Sequence, residues 1–217
     1  MFAYPKKTEF NRVVPKTKIY AHTRVSKRVK ELFVTQVGEI VWRYKLSPET
    51  INLPARNGIR EIQVFDIHLK SPEIDDAVVV AIDKAIPFPL VLQLIHGDVI
   101  QTEVSFKRPS EADSSKWVVE ARFRSEQRPL GTSCGDLPVA LDLAGLYEQI
   151  IRRHIPIPAR NGESITEQVA RFVTLEAKQR ERQQLESRLA KEKQFNRKVE
   201  MNTALRSLSQ ELEQITR

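Results

Sequence analysis

Apolar residues recur at three- and four-residue steps over Val29–Tyr44, a spacing that gives a helix one buried and one solvated face. Ser26 precedes this pattern as an N-cap, and Ser47 with Pro48 ends it. The sequence therefore predicts one amphipathic helix over residues 26–46.

Four later segments have the pattern of β-strands. The first two along the chain are apolar on both faces, which is typical of strands covered on both sides, and the last two alternate apolar with polar residues. The predicted strands are residues 61–69, 89–95, 99–107 and 117–124. Helices are predicted over residues 71–85 and 137–154, and the first of these allows the first two strands to be parallel, joined by a right-handed crossover. The predicted fold is α+β, with a mixed, mainly antiparallel four-stranded sheet flanked by helices.

The C-terminal 55 residues, after Gly162, contain no glycine or proline. Ser164 with Glu167 forms a capping box that begins a helix there. An apolar seam of alternating four- and three-residue steps follows at Met201, Leu205, Leu208, Leu212 and Ile215. Because earlier leucines fall in a different register, the sequence predicts either one long C-terminal helix or a helical hairpin that folds back.

These patterns divide the chain into three predicted parts. They are a basic N-terminal arm at residues 1–25, a globular α+β domain at residues 26–162 and a helical C-terminal extension at residues 163–217.

Positive charge is concentrated at the N-terminus. Residues 1–30 hold nine basic side chains and one acidic one, whereas residues 31–162 hold 15 basic and 18 acidic ones. The candidate nucleic-acid-binding residues are Lys6, Lys7, Arg12, Lys16, Lys18, Arg24, Lys27, Arg28 and Lys30. Such a cluster is typical of a phosphate-backbone contact. The open alternatives are an acidic protein partner and a solvated N-terminus with no partner.

Composition excludes several classes of protein. The chain is 41% apolar and 29% charged, which is outside the range of disordered proteins. It lacks the run of roughly 18–20 apolar residues of a membrane helix and the apolar segment of a secretory signal. The single Cys134 excludes an intramolecular disulfide. We expect a cytoplasmic protein with no membrane contact.

The sequence contains none of the common nucleotide-binding or catalytic motifs. The four histidines lack metal-ligand spacing, so no metal and no cofactor are expected. One alternative is a metal-dependent nuclease, in which acids hold Mg²⁺ and a lysine supports the attacking water. Its candidates are Asp66, Asp98, Glu103, Lys107 and Glu120. Their spacing fits such a site poorly, and Glu103 and Glu120 are more simply read as the solvated face of a sheet.

Four separated blocks carry a family resemblance. They are WRYKLSPETINL at residues 42–53, EIQVFDIHLK at residues 61–70, IDKAIPFPLVL at residues 82–92 and KEKQFNRKVEMN at residues 191–202. Together they resemble a bacterial family labelled domain of unknown function, DUF4391. The resemblance covers nearly the whole chain and implies no established activity or catalytic residue. The resemblance also implies an association with other proteins, because members of the family often occur beside DNA methyltransferase and helicase components of restriction or phage-defence systems.

The last block also carries a candidate interface. It places one aromatic residue among asparagine, glutamine, arginine and lysine residues on a helix with no predicted apolar neighbours to cover it. Such a pattern is typical of a protein interface. The candidate partner-binding residues are Gln194, Phe195, Asn196, Arg197, Lys198, Val199, Asn202, Leu205, Leu208 and Leu212. The alternative is that Phe195 packs back on its own domain.

Three functional hypotheses follow. The leading one is a non-catalytic accessory or scaffold subunit of a bacterial DNA-modifying or phage-defence complex. Its C-terminal helix contacts a protein partner such as a helicase or DNA methyltransferase, and its arm contacts DNA. The alternatives are a metal-dependent nuclease of a defence system and a structural protein that forms a homodimer through the 201–215 seam.

Overall fold

The structure is a computed structural model that describes residues 1–110 and 117–216. Within these residues the strands are β1 (Phe2–Ala3), β2 (Glu9–Val13), β3 (Val37–Leu46), β4 (Ile62–Leu69), β5 (Leu90–His96), β6 (Val99–Pro109), β7 (Trp117–Arg124), β8 (Arg128–Pro129) and β9 (Gly135–Asp136). The helices are α1 (Lys16–His22), α2 (Lys27–Gln36), α3 (Pro48–Ile51), α4 (Asp76–Ala85), α5 (Leu143–Arg152), α6 (Ile165–Lys191) and α7 (Phe195–Thr216). The chain forms two compact units, Met1–His154 and Ile155–Arg217.

The main sheet of the first unit has the strand order β2-β3-β4-β5-β6-β7, and β8 pairs with the free end of β6. Strands β4 and β5 are parallel and are joined through α4, and the other described neighbours in this sheet are antiparallel. The α+β class and the mainly antiparallel sheet are therefore confirmed. The predicted number of four strands is wrong, because β2, β3 and β8 were not recognised in the sequence.

The predicted helix over residues 26–46 is the largest error. Ser26 does cap a helix, and its Oγ accepts a hydrogen bond from the Val29 backbone N–H at 3.3 Å, but α2 ends at Gln36. Residues 37–46 form β3, which pairs along its length with β4. Val37, Ile40 and Leu46 of this strand are buried. The spacing of the apolar residues alone could not distinguish a helix from a strand over residues 37–46. The hydrogen-bonded pairing with β4 stabilises the strand.

The N-terminal residues are not a separate arm. Strand β1 pairs in parallel with β9, and β2 pairs with β3 as an edge of the main sheet. Ile19 of α1 is buried in the hydrophobic core together with Phe33 of α2. The predicted boundary at residue 25 therefore does not separate two parts of the fold, and the later boundary lies at 154/155 rather than 162/163.

Both faces of the sheet are covered. One face packs its apolar residues against α1, α2 and α4 in a core that includes Phe65, Leu92 and Ile82. On the opposite face, strand pairing sets the buried residues Val64, Val91 and Val104 side by side, and α5 contacts β6.

The second unit contains the helical hairpin that the sequence left as one of two options. The predicted capping box is present, because Ser164 Oγ accepts from the Glu167 N–H at 3.3 Å and Glu167 accepts from the Ser164 N–H at 2.8 Å. Helix α6 ends at Lys191, and α7 runs back along it, with Lys178 Nζ lying 2.8 Å from Glu211 Oε2.

Candidate nucleic-acid and partner interfaces

Eight of the nine basic residues near the N-terminus have exposed side chains. These are Lys6, Lys7, Arg12, Lys18, Arg24, Lys27, Arg28 and Lys30. Arg28 lies 3.9 Å from Asp75, and the other seven form no ion pair within residues 1–110 and 117–216. Since no carboxylate neutralises them, these seven charges are open to an external anion.

Lys16 has a different role from the one predicted. Its Nζ donates hydrogen bonds to the carbonyl oxygens of Phe33 at 3.0 Å and Val37 at 2.5 Å. These carbonyls lie at the C-terminal end of α2, where backbone acceptors lack helical partners and positive charge is favoured. Lys16 therefore fixes α1 to the end of α2 and does not belong to the exposed cationic set.

Five of the exposed cations lie on α1, on α2 and in the loop between them, a group that we call the α1–α2 corner. It is defined by Lys18, Arg24, Lys27, Arg28 and Lys30. An open groove of about 660 Å³ lies there and is lined by residues 20–26 and Lys30, none of which is acidic. Lys30 Nζ also lies 5.6 Å from the centre of the Tyr20 ring. The groove thus combines positive charge with an aromatic ring, as sites for nucleic acid do.

The remaining basic residues flank β2. Lys6 and Lys7 lie in a 3-10 turn before this strand, and Arg12 lies within it. The Arg12 guanidinium stacks over the Phe10 ring at 4.4 Å, and Phe10 packs on Trp42 with ring centroids 4.2 Å apart. The aromatic residues of this stretch therefore anchor it on its own sheet.

The candidate partner-binding residues separate into two groups. Leu208 and Leu212 are buried, and with the buried Leu175 they belong to the apolar residues of the hairpin unit. These two leucines are not available to a partner. The 201–215 seam predicted for self-association is therefore used partly within the chain.

The other candidates lie at or near the turn of the hairpin. Phe195 is 77% exposed and Val199 is 49% exposed. Leu205 is partly buried, whereas the polar candidates Gln194, Asn196, Arg197, Lys198 and Asn202 are exposed. We call Phe195 and Val199 with these surrounding polar residues the hairpin tip. The alternative in which Phe195 packs back on its own domain stays a prediction.

The five nuclease candidates do not converge. Asp66 lies on the α5 face of the sheet, in register with Gln93 and Thr102, whereas Glu103 is in register with Leu92 on the α4 face. Each buried acid has a basic neighbour, Arg43 for Asp66 and Arg124 for Glu103. Burial raises the pKa of both carboxyls, and the neighbouring arginines oppose this rise.

The other nuclease candidates are also held apart. Asp98 is exposed in the turn between β5 and β6, and Glu120 pairs with Arg108. Within the described ranges, no group of three or more histidine, cysteine, aspartate or glutamate residues is placed to hold a metal ion.

The polar side of β6 is buried, contrary to the prediction that it faces solvent. Lys107 Nζ lies 2.9 Å from Asp83 Oδ1 of α4, and Ser105 Oγ donates to Asp83 Oδ2 at 2.6 Å. Arg124 donates to Glu103 at 2.6 Å and to Asp76 at 3.0 Å. The sequence contains one indication of this buried polar cluster, which is Asp83 after the apolar stretch of α4. This indication could be interpreted only once α4 was known to lie over β6.

Comparison with known proteins identifies the family and gives little else. No described helix is both long and apolar enough to cross a membrane. No curated protein and no solved structure matches the chain. The profile of one family, Domain of unknown function (DUF4391), matches residues 2–212 of the 217. The chain therefore belongs to the DUF4391 family.

Proposed function

We propose that this chain is a non-catalytic accessory subunit of a bacterial DNA-modifying or phage-defence complex. In this proposal, the α1–α2 corner binds the phosphate backbone of a nucleic acid, and the hairpin tip binds a protein subunit. The observation that carries it is that four exposed cations of the α1–α2 corner, Lys18, Arg24, Lys27 and Lys30, form no ion pair in the described residues.

The α1–α2 corner supports contact with a backbone rather than with base edges. Its five cations come from one short helix, the following loop and the start of the next helix, and two of them, Arg24 and Lys30, line a groove with no acidic lining residue. Lysine and arginine bind phosphates regardless of sequence, with release of counterions. If each of the five neutralises one phosphate of duplex DNA, the log–log slope of affinity against salt is about −4 to −5.

The nucleic-acid part is tested by measuring DNA affinity at several salt concentrations. The double variant Arg24→Gln/Lys27→Gln is expected to make the salt slope shallower by about 2, because two phosphate contacts are lost. Arg60→Gln/Lys84→Gln is the matched control, since it removes the same charge from two other exposed positions. A slope that is unchanged in the first variant, or equally changed in both, would contradict the role of the α1–α2 corner.

The hairpin tip supports contact with a protein. Exposed aromatic and aliphatic side chains ringed by arginine, lysine and asparagine are typical anchors of protein interfaces. A two-helix hairpin cannot enclose a core along its whole length, and its buried leucines Leu175, Leu208 and Leu212 lie away from the turn. The apolar residues near the turn are therefore left for another chain to cover.

The protein part is tested by a pull-down from the native host with nuclease treatment. Recovery of a DNA methyltransferase or helicase subunit is expected, and Phe195→Ser and Val199→Ser are expected to abolish it. Val173→Ser is the matched control, because Val173 is also an exposed valine on the hairpin, at 42%. Recovery that survives both tip variants would overturn this assignment.

A further inference from the structure

A second cavity lies in the first unit, on the face of the sheet that carries α5. Its volume is about 290 Å³. Ile100 and Thr102, two residues apart on β6 and so on one face of the strand, line it. Its other lining residues include Met1, Phe2, Arg128, Gly135, Arg153 and His154.

Pairing of short strands fixes these walls. Strand β8 places Arg128 in register with Ile100, and β1 places Phe2 in register with Gly135. The Arg153 guanidinium lies over the Phe2 ring at 5.5 Å. A Cβ at Gly135 would lie 3.9 Å from Arg153 Nη1, an ordinary van der Waals distance, so the Arg153 side chain lies directly beside β9. Strand pairing therefore positions Arg128, whereas Arg153 is placed by the end of α5 and by its contact with Phe2.

The cavity is positively charged. Neither Arg128 nor Arg153 forms an ion pair with an acid in the described part of the chain, and Glu126 is the one carboxylate among the lining residues. Burial is the main cause of a lowered pKa at His154. The hydrogen bond with the Ile150 backbone opposes this shift, and the positive charges of the Met1 amino group, Arg153 and Arg128 add to it. This shift favours the neutral form of the His154 imidazole, so the positive charge of the cavity comes from the two guanidinium groups and the Met1 amino group.

Thr102 adds a buried polar group that the fold leaves unused. Thr102 is 3% exposed, and its Oγ1 has no hydrogen-bond partner among the described residues. Its backbone is fixed, since Thr102 N–H donates to Ser125 Oγ at 3.0 Å and Thr102 C=O accepts from Ser125 N–H at 2.8 Å. An unused buried hydroxyl costs about 1–3 kcal/mol, so such groups in native proteins normally meet a partner.

We propose that this cavity binds the phosphate of a phosphomonoester. Two guanidinium groups match a phosphomonoester, which carries a charge of about −1.5 to −2 at pH 7, better than they match a singly charged diester. The Thr102 hydroxyl then donates to a phosphate oxygen. The volume is near the lower limit of about 300 Å³ for ligand sites, which suits a phosphate with a small attached group.

This site is separate from the α1–α2 corner, and the inference does not depend on the proposed function. A phosphomonoester can come from a free mononucleotide or from the phosphorylated end of a nucleic-acid strand. Both present the same terminal group, so the test distinguishes the two sources.

The test is calorimetric titration of the full chain with inorganic phosphate, with adenosine 5′-monophosphate and with one short oligonucleotide carrying either a 5′-phosphate or a 5′-hydroxyl. The expected result is binding of the mononucleotide or a preference for the 5′-phosphorylated oligonucleotide. Arg128→Gln is expected to weaken that binding about ten- to a hundredfold, since it removes charged hydrogen bonds. Arg60→Gln, an exposed arginine elsewhere, is the control.

Thr102→Val separates binding from folding. The variant keeps the shape of the side chain and removes the unused hydroxyl, so it is expected to weaken phosphate binding several-fold while the melting temperature of the free protein stays level or rises. The inference is overturned if no phosphate compound binds at millimolar concentration, or if Arg128→Gln and Thr102→Val both leave binding unchanged.

Discussion

Replacing Lys107 by methionine removes one charge of a buried ion pair while nearly keeping the volume of the side chain. The side chains of Lys107 and Asp83 are 1% and 2% exposed. Lys107 Nζ donates to the carbonyl oxygens of Asp83 at 3.0 Å and Ile86 at 2.8 Å, besides facing the Asp83 carboxylate at 2.9 Å. The substitution therefore leaves a buried carboxylate unpaired and two carbonyls at the end of α4 without their donor.

The expected loss in the free energy of unfolding follows from these contacts. Removing one partner of a buried ion pair costs about 3–5 kcal/mol in the free energy of unfolding, because the other charge stays buried without compensation. Burial already lowers the pKa of Lys107, and the Asp83 charge opposes that shift, so the desolvation cost is large. In a protein of this size the loss corresponds to a fall in melting temperature of about 6–20 °C.

The assay is urea unfolding followed by circular dichroism, with melting temperature as a second measure. Lys84→Met is the matched control, since Lys84 is an exposed lysine next to Asp83 on α4, and a change within about 0.5 kcal/mol is expected there. The double variant Asp83→Leu/Lys107→Met is expected to lose less than the sum of the single variants, because neither charge remains. A loss below about 1 kcal/mol in Lys107→Met, or additive losses in the double variant, would refute this reasoning.

Three further predictions concern other contacts. Lys16→Met is expected to lower the free energy of unfolding by about 1–2 kcal/mol in urea titrations, because the end of α2 loses its donor. If Lys16 served only an external ligand, stability would not change. Leu208→Ala is expected to cost the hairpin about 2–5 kcal/mol, seen as reduced thermal stability of its helical signal, whereas the exposed Val199→Ala costs little. His154 has a folded-state pKa below its ordinary value of 6.5, so the unfolded chain takes up the proton first. Stability is then expected to fall as the pH drops below about 6.5, and His154→Gln should flatten that dependence in unfolding titrations at several pH values.

Local sequence determined the elements whose pattern and partners agree. Strands β4 to β7 lie where alternation and apolar runs predicted them, and the caps at Ser26 and Ser164 begin helices as predicted. The helices α4 and α5 are shorter at their N-termini than predicted, since Asp75 and Asp142 are the residues that cap them. The strands and the two helix starts that were predicted correctly depend on neighbours in the chain, so the sequence is sufficient to find them.

The tertiary structure decided the rest. Residues 37–46 are a strand because β4 lies beside them, and Leu208 and Leu212 are unavailable because α7 folds back in the hairpin. Lys107 has the alternating position of a solvated residue, yet α4 covers it and supplies Asp83 as its partner. Charge and polarity are readable along a chain, but their effect depends on desolvation and on the opposing group, and both are set by residues distant in sequence.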